Sequence, residues 1–213
     1  QKKFGIELIG GDTITSLGPT SICISIFGTP NSKGSLLRSG AKVGDGIFVS
    51  GTIGDAALGL MLRGNMSLLC SSKENSYCIS RYRIPRPRID LGLALGGMAS
   101  AAMDISDGLF QDLSHLCGAS NVSGSVQANK IPLSKEVSSF VNENKFSIEQ
   151  VISGGDDYEL IFTAPLTKEN SIFNLARATK TRITRIGTIQ SGKGISIFDK
   201  NGNILPFSKG GYS

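Results

Sequence analysis

Three short Gly/Asp clusters carry the residue types in this chain best suited to chemistry. They are Gly10-Gly11-Asp12-Thr13, Asp104-Ile105-Ser106-Asp107-Gly108 and Gly154-Gly155-Asp156-Asp157-Tyr158-Glu159. In the first, paired glycines let the backbone approach a ligand and Asp12 offers one hard oxygen, although a plain turn has the same composition. In the second, Asp104 and Asp107 stand three residues apart, with the Ser106 hydroxyl between them. Two carboxylates crowded at a turn repel each other unless a cation separates them, and Mg²⁺ takes such oxygens together with phosphate oxygens and water. A helix opening after Gly108 would add partial positive charge for a phosphate. The competing arrangement makes Asp107 a helix N-cap and Asp104 an ion-pair partner. The third cluster packs Asp156, Asp157 and Glu159 into four residues, too much negative charge for a phosphate cradle. It suits a cationic substrate group or a metal, or else is a charged turn before a strand.

Other devices are poorly supported. There is no P-loop lysine motif and no G-x-G-x-x-G opening a helix. The single histidine, His115, falls mid-helix beside Leu113 and Leu116, where it reads as a surface or packing residue, not a general base. Arg81, Arg83, Arg86 and Arg88 could grip phosphates or could pair with nearby carboxylates. Cys23, Cys70, Cys78 and Cys117 are scattered without C-x-x-C spacing, which disfavours zinc and disulfides and reads as reduced thiols.

The bulk numbers agree with an ordinary globular chain that binds something anionic. Of 213 residues, 39% are hydrophobic and 18% charged, and the net charge is +5. The basic residues are too dispersed for a nucleic-acid surface. No apolar run approaches the roughly 18 residues of a membrane span, and no signal-peptide pattern opens the chain. A cytoplasmic protein without membrane or nucleic-acid partners is expected. Gln1 is not a translation start, so an upstream segment is expected too.

The elements that must position these clusters follow from periodicity. Ile6–Ile9 and Ser21–Phe27 read as strands, the second because Ile22, Ile24 and Ile26 alternate with Ser21, Cys23 and Ser25. Residues 29–34 form a loop and a candidate domain boundary. Ile47-Phe48-Val49 is a short buried strand, and Asp55–Arg63 a helix with Ala56, Leu60 and Met61 inward, stopped by Gly64. Met66–Tyr77 has weak patterning and reads as a connection. A helix opening at Pro87 would place Ile89, Leu93, Gly96 and Gly97 on one side. Leu109, Leu113, Leu116 and Cys117 mark a helix ended by Gly118. Ser134–Asn144 is an amphipathic helix with Val137, Phe140 and Val141 buried, and Ser147 with Gln150 makes a capping box. Tyr158–Thr163 and Arg182–Ile189 read as strands around a helix at Thr167–Thr179, and Asn201-Gly202 as a hairpin turn. The expected class is α/β (α+β): a layered domain at 35–213 with a mixed sheet and flanking helices, preceded by a smaller piece at 1–34.

Taken in order, the clusters resemble the thiamine-monophosphate kinase family. The matching stretches are Leu8–Thr13, Leu37–Asp45, Val49–Leu60, Arg86–Ile89, Ala102–Leu109 and Ser153–Leu160, closing with Lys209-Gly-Gly-Tyr212. Any one motif is weak, whereas the ordered set covers nearly the whole chain. The resemblance implies a fold shared with aminoimidazole ribonucleotide synthetase, with 1–34 the end of an N-terminal ATP-binding domain. It implies Mg²⁺-dependent transfer of the ATP γ-phosphoryl group to thiamine monophosphate in a homodimeric enzyme. By the same resemblance, Gly11 and Asp12 meet ATP and Mg²⁺, Arg38 the ATP phosphates, and Ser106 ATP. Asp104 and Asp107 bind Mg²⁺ and, with Arg38, form the catalytic set; Asp156 and Tyr212 touch thiamine monophosphate. Family members often have Glu where this chain has Asp156. The family's Gly-Asp-Asp metal motif, upstream of the first cluster, is not in the chain, which implies that the intact protein is the enzyme and this stretch alone is inactive. The alternatives are a related ATP-dependent synthetase and a non-catalytic nucleotide-binding module.

Overall fold

A computed structural model describes residues 1–30, 32–64 and 73–207. Its centre is the run Gly46–Ser50 (β1), where Ile, Phe and Val favour a pleated strand. β1 is followed by the helices Asp55–Gly64 (α1), Lys73–Arg83 (α2) and Ile89–Leu95 (α3), the strand Ala101–Asp104 (β2) and the helix Leu109–Ser120 (α4). Then come Ser123–Gln127 (β3), Lys135–Asn142 (α5), Ile148–Ser153 (α6), Leu160–Ala164 (β4), Glu169–Ala178 (α7), Ile183–Gln190 (β5) and Gly194–Phe198 (β6). The strands form one six-stranded sheet in the order β2-β4-β1-β5-β3-β6. Its pairs are antiparallel except β3 with β6, so the sheet is mixed, as expected.

Successive residues of a strand face opposite sides, and here both sides are covered. Ile47 and Val49 enter one core with residues of α1, α4, α5 and α6, while Phe48 enters the other with Leu91 and Leu95 of α3 and Ile172 of α7. Phe48 stacks on Phe162, its cross-strand partner, with ring centroids 5.3 Å apart. A strand buried on both faces reads as a continuous apolar run, and for that reason β1 was legible. Helices form where α4 and α5 were expected, α5 ending at Asn142 with Val137 buried and Phe140 and Val141 half-buried, and the Ser147–Gln150 capping box is present. Among the described residues no helix is long and apolar enough to cross a membrane.

Several expectations are corrected. Ile6–Ile9 and Ser21–Phe27 are not strands, and Ile22, Ile24 and Ile26 are 83%, 85% and 78% exposed. Alternation stabilises a strand only when a neighbour takes its N–H and C=O groups and a core takes its side chains; among the described residues this segment has neither. On α1 the buried positions are Asp55, Ala56, Leu58, Gly59 and Leu62, with Leu60 and Met61 at the margin. On α3 the buried pair is Leu91 and Leu95, and Ile89 and Leu93 are exposed. α4 runs past Gly118 and ends on Asn121 in the left-handed conformation. The connection expected at Met66–Tyr77 is partly the helix α2, and the rest of that stretch lies outside the described residues. β3 was not anticipated, because Ser-Gly-Ser-Val-Gln has little strand character. At Asn201-Gly202 the chain does turn, but a single bridge, Phe198 to Ile204, takes the place of a second strand.

α1 and α2 touch at Gly59, where a β-carbon would overlap the Cys78 carbonyl. Gly59→Ala should therefore destabilise the protein by roughly 1–3 kcal/mol, despite alanine's better helix propensity. Urea denaturation checks this; an unchanged midpoint would mean the helices can part without cost.

Candidate active site

Antiparallel pairing brings the second and third clusters together. β2 and β4 pair with Asp104 opposite Leu160, so the turn after β2 and the loop before β4 leave the sheet at the same end. The contact continues past the strands: Ile105 N donates to the Glu159 carbonyl at 2.8 Å, Tyr158 N to the Ile105 carbonyl at 2.8 Å, and Asp156 N to the Ser106 carbonyl at 2.9 Å. Gly108, at φ +124°, sits where a β-carbon would be 2.7 Å from the Ser153 carbonyl. Only glycine fits that corner.

The turn itself is held from inside. The Asp112 carboxylate, nearly fully buried, accepts from the backbone N–H groups of Ser106, Asp107 and Gly108 at 2.9, 3.0 and 3.2 Å. Burial pushes the Asp112 carboxyl above its ordinary value, against those N–H groups. The three N–H groups that lead into α4, those of Ser106, Asp107 and Gly108, already serve a carboxylate of that helix, so the turn itself does not offer them to a phosphate. Asp112 was not among the sequence candidates, although an acid four residues past a turn glycine, in the first turn of a helix, is a readable signal.

Asp104 and Asp107 are left exposed on the outer side of this turn. Among the described residues neither is ion-paired; Asp107 only accepts from Gln111 Nε2 at 3.3 Å. Asp107 is thus not a helix N-cap, and among the described residues Asp104 is not a salt-bridge partner. Two unneutralised carboxylates flanking a hydroxyl fit Mg²⁺, which needs only one or two protein carboxylates beside phosphate oxygens and water. No group of three His, Cys, Asp or Glu side chains able to enclose a metal is found among the described residues.

The third cluster divides in two. Asp157 and Glu159 point inward, 1% and 0% exposed, and Asp156 and Tyr158 point outward. Asp157 accepts from Gly54 N at 2.7 Å and Ala56 N at 3.1 Å, capping α1 from across the fold. Burial pushes its carboxyl up to about 7. Glu159 accepts from Arg88 Nε at 2.7 Å, Arg81 Nη2 at 2.9 Å and the Ser50 hydroxyl. Of the four arginines, Arg81 and Arg88 are therefore committed to a carboxylate. The negative charge that seemed to call for a metal or a cationic ligand is largely internal, and Asp156 is the one carboxylate of the cluster facing outward. Beside it opens a groove of about 410 Å³ between α1 and α6, lined by Ala56, Ala57, Leu60, Met61 and Phe146.

The remaining candidates stand apart. Gly11 and Asp12 lie in the exposed N-terminal segment, where Asp12 accepts from Thr13 N at 2.7 Å. No hydrogen bond or ion pair joins them to the Asp104 turn among the described residues. Arg38 is exposed, its carbonyl accepting from Ser120 Oγ at 3.4 Å. Tyr212 lies outside the described residues. His115 is exposed on α4, in keeping with a surface role.

The arrangement has relatives. Residues 42–200 match the family described as AIR synthase related protein, C-terminal domain. The chain is 39% identical to a thiamine-monophosphate kinase of Buchnera aphidicola subsp. Schizaphis graminum, an alignment covering 99% of this chain and 64% of that protein. It is 41% identical to the enzyme of that name from Escherichia coli K12, over 76% of this chain and 49% of that one. The fold is similar to the crystal structure of thiamine-monophosphate kinase from Stenotrophomonas maltophilia K279a, with a TM-score of 0.72 and 35% identity over 82% of this chain and 55% of that one. It is also similar to AaThiL complexed with AMPPCP and TMP, at a TM-score of 0.69 and 35% identity over 83% and 53%. The chain thus spans about half to two-thirds of the proteins it matches.

Two outcomes test the internal carboxylates. Asp112→Ala leaves three N–H groups, one buried and two half-buried, without their acceptor and should cost roughly 2–4 kcal/mol in chemical denaturation. Asp157 makes stability depend on pH with an unusual sign. Between its ordinary value of 3.8 and about 7 the unfolded chain has lost the proton while the native state keeps it. The contribution of Asp157 therefore falls as pH rises through that window, by at most about 1.4 kcal/mol per pH unit, and is level above it. Asp157→Asn should remove that part of the decline in denaturation midpoints taken from pH 4 to 8; identical slopes in the two proteins would refute it.

Proposed function

The chain belongs to the AIR synthase-related family, and we propose that it acts within a thiamine-monophosphate kinase, transferring the γ-phosphoryl group of ATP to thiamine monophosphate to give thiamine diphosphate and ADP. One observation carries the reading: two exposed carboxylates with no ion-pair partner among the described residues, Asp104 and Asp107, flank Ser106 on a locked turn that is bonded directly to the loop bearing Asp156. The naming of the similar proteins and the AMPPCP and TMP in one of them support it.

The chemistry asks for what the turn offers. The acceptor oxygen belongs to a phosphate with its second pKa near 6, so it is anionic at neutral pH and needs no strong general base. The difficulty is bringing two polyanions into line. Asp104 and Asp107 would hold Mg²⁺, which supplies charge neutralisation across the phosphates. Ser106 would bond ATP. Asp112 keeps the turn rigid by holding the N–H groups of Ser106, Asp107 and Gly108. Asp156 would meet thiamine monophosphate, with the apolar groove beside it taking part of the ring system. Gly11, Asp12 and Arg38 would complete the nucleotide side, residues 1–34 serving as part of an ATP-binding domain, and Tyr212 would close the substrate side. A cytoplasmic homodimer is the proposed state of the whole protein.

The full-length protein should release ADP only when thiamine monophosphate and Mg²⁺ are both present. Asp104→Asn should lower kcat at least 100-fold with an unchanged melting temperature, and Asp107→Asn should behave likewise. Turnover independent of thiamine monophosphate would favour a related synthetase, and wild-type turnover in Asp104→Asn would leave the turn with a structural role alone.

A further inference from the structure

Tyr158 is an aromatic residue that the reaction as proposed does not use, in a backbone conformation that tyrosine rarely adopts. Its φ is +49°, and that of Asp156, two residues earlier, is +69°. Both lie in the left-handed region, where a β-carbon crowds the following carbonyl at a cost of roughly 1–2 kcal/mol per residue. Such strain persists only where the surroundings enforce it. Here the Asp156 and Tyr158 N–H groups are bonded to the 104–108 turn, and Asp157 and Glu159 are pinned in the interior. A glycine at 158 would turn the chain without strain, and two glycines stand just upstream at 154 and 155. The conformation turns the side chains of 156 and 158 to the same outer side, where the Tyr158 hydroxyl donates to the Asp156 carboxylate, and leaves Tyr158 38% exposed.

The ring stands among anions. Burial and then the charges of Asp156, Asp104 and Asp107 raise the tyrosine pKa above its ordinary value, so the phenol stays neutral. No lysine or arginine pairs with any of the three carboxylates among the described residues. An electron-rich ring face beside an unneutralised carboxylate is the chemistry that recognises a cation of ring size. A neutral heterocycle would gain only apolar contact there, and an anion would be repelled.

We propose that Tyr158, acting with Asp156, is a specificity-determining residue that reads the positive charge of the substrate's thiazolium ring. The assignment rests on thiamine monophosphate being the substrate. The ring face of Tyr158 takes the cation, Asp156 balances its charge, and the groove beyond Asp156 accepts the neutral remainder of the ligand.

The test is calorimetric, on the full-length protein. Dissociation constants are measured for thiamine monophosphate and for an isosteric monophosphate whose thiazolium is replaced by a neutral thiophene. Wild type should prefer the cationic ligand. Tyr158→Phe keeps the ring and should keep most of that preference. Tyr158→Leu should lose roughly 2- to 30-fold of it with MgATP binding unchanged. Tyr158→Asn, whose side chain is at ease at positive φ, should lose it too while melting no lower than wild type, which guards against a folding defect. An equal loss for both ligands in the Leu and Asn variants, or no loss for either, would overturn the assignment. Wild-type protein that binds neither ligand and shows no thiamine-monophosphate-dependent ADP release would overturn the kinase reading instead.

Discussion

The buried carboxylate of Glu159 is the constraint from which the site's geometry follows. A carboxylate with no exposure is tolerated only if opposite charge and hydrogen-bond donors meet it from several directions. Glu159 receives Arg81 from α2, Arg88 from just before α3 and the Ser50 hydroxyl from the end of β1. Ser50 Oγ in turn accepts from Leu160 N at 2.8 Å, fixing where β4 begins. Gly51, at φ +59°, lies so close that any β-carbon would overlap the Glu159 carboxylate. Four elements are thus drawn to one point, at the sheet end where the candidate site lies. The cluster is not fully satisfied. Asp55 Oδ1 and Arg81 Nη1 are buried without a partner among the described residues. Removing one charged member would leave the others uncompensated, so the group acts as a unit.

Glu159 also decides what its neighbours can do. With 157 and 159 turned inward, 156 and 158 must turn outward, and the two left-handed residues let the chain make that alternation within a loop. Acids in this region therefore fall into two populations. Asp55, Asp112, Asp157 and Glu159 are enclosed and serve the fold. Asp104, Asp107 and Asp156 are open and have no ion-pair partner among the described residues, so they remain for a ligand. A count of acidic residues does not separate the two populations; burial and partners do.

That division explains where the sequence was readable. β1, α4, α5 and the capping box depend on local patterns, and local patterns are written in consecutive residues. The Asp104 turn was found because its spacing is itself the signal. α2 was missed because Lys73–Arg83 is polar for a packed helix; what fixes it is Gly59 admitting the Cys78 backbone and Arg81 reaching Glu159, 78 residues on. The N-terminal alternation was read as strands because a pattern states a preference and says nothing of whether a partner is present. Asp157 and Glu159 were read as ligand charges for the same reason: the groups that neutralise them come from α1, α2 and β1.

The hold of Asp112 on the turn before α4 bears on the chemistry as well as on the fold. A free helix N-terminus would bind a phosphate through neutral N–H groups and would do so without a metal. Here the three N–H groups that lead into the helix, of Ser106, Asp107 and Gly108, are spent on an internal carboxylate, which adds a further acid beneath Asp104 and Asp107. Any polyanion approaching the turn therefore meets net repulsion unless it arrives with cations of its own. For the proposed reaction this makes the nucleotide's accompanying charge a condition of binding. The same surplus of negative charge makes the neighbouring surface favourable to a cationic ring. One distribution of carboxylates can thus serve both substrates: it admits ATP only with counterions, and it attracts the acceptor through its heterocycle while leaving the acceptor's phosphate to be drawn in by those same ions.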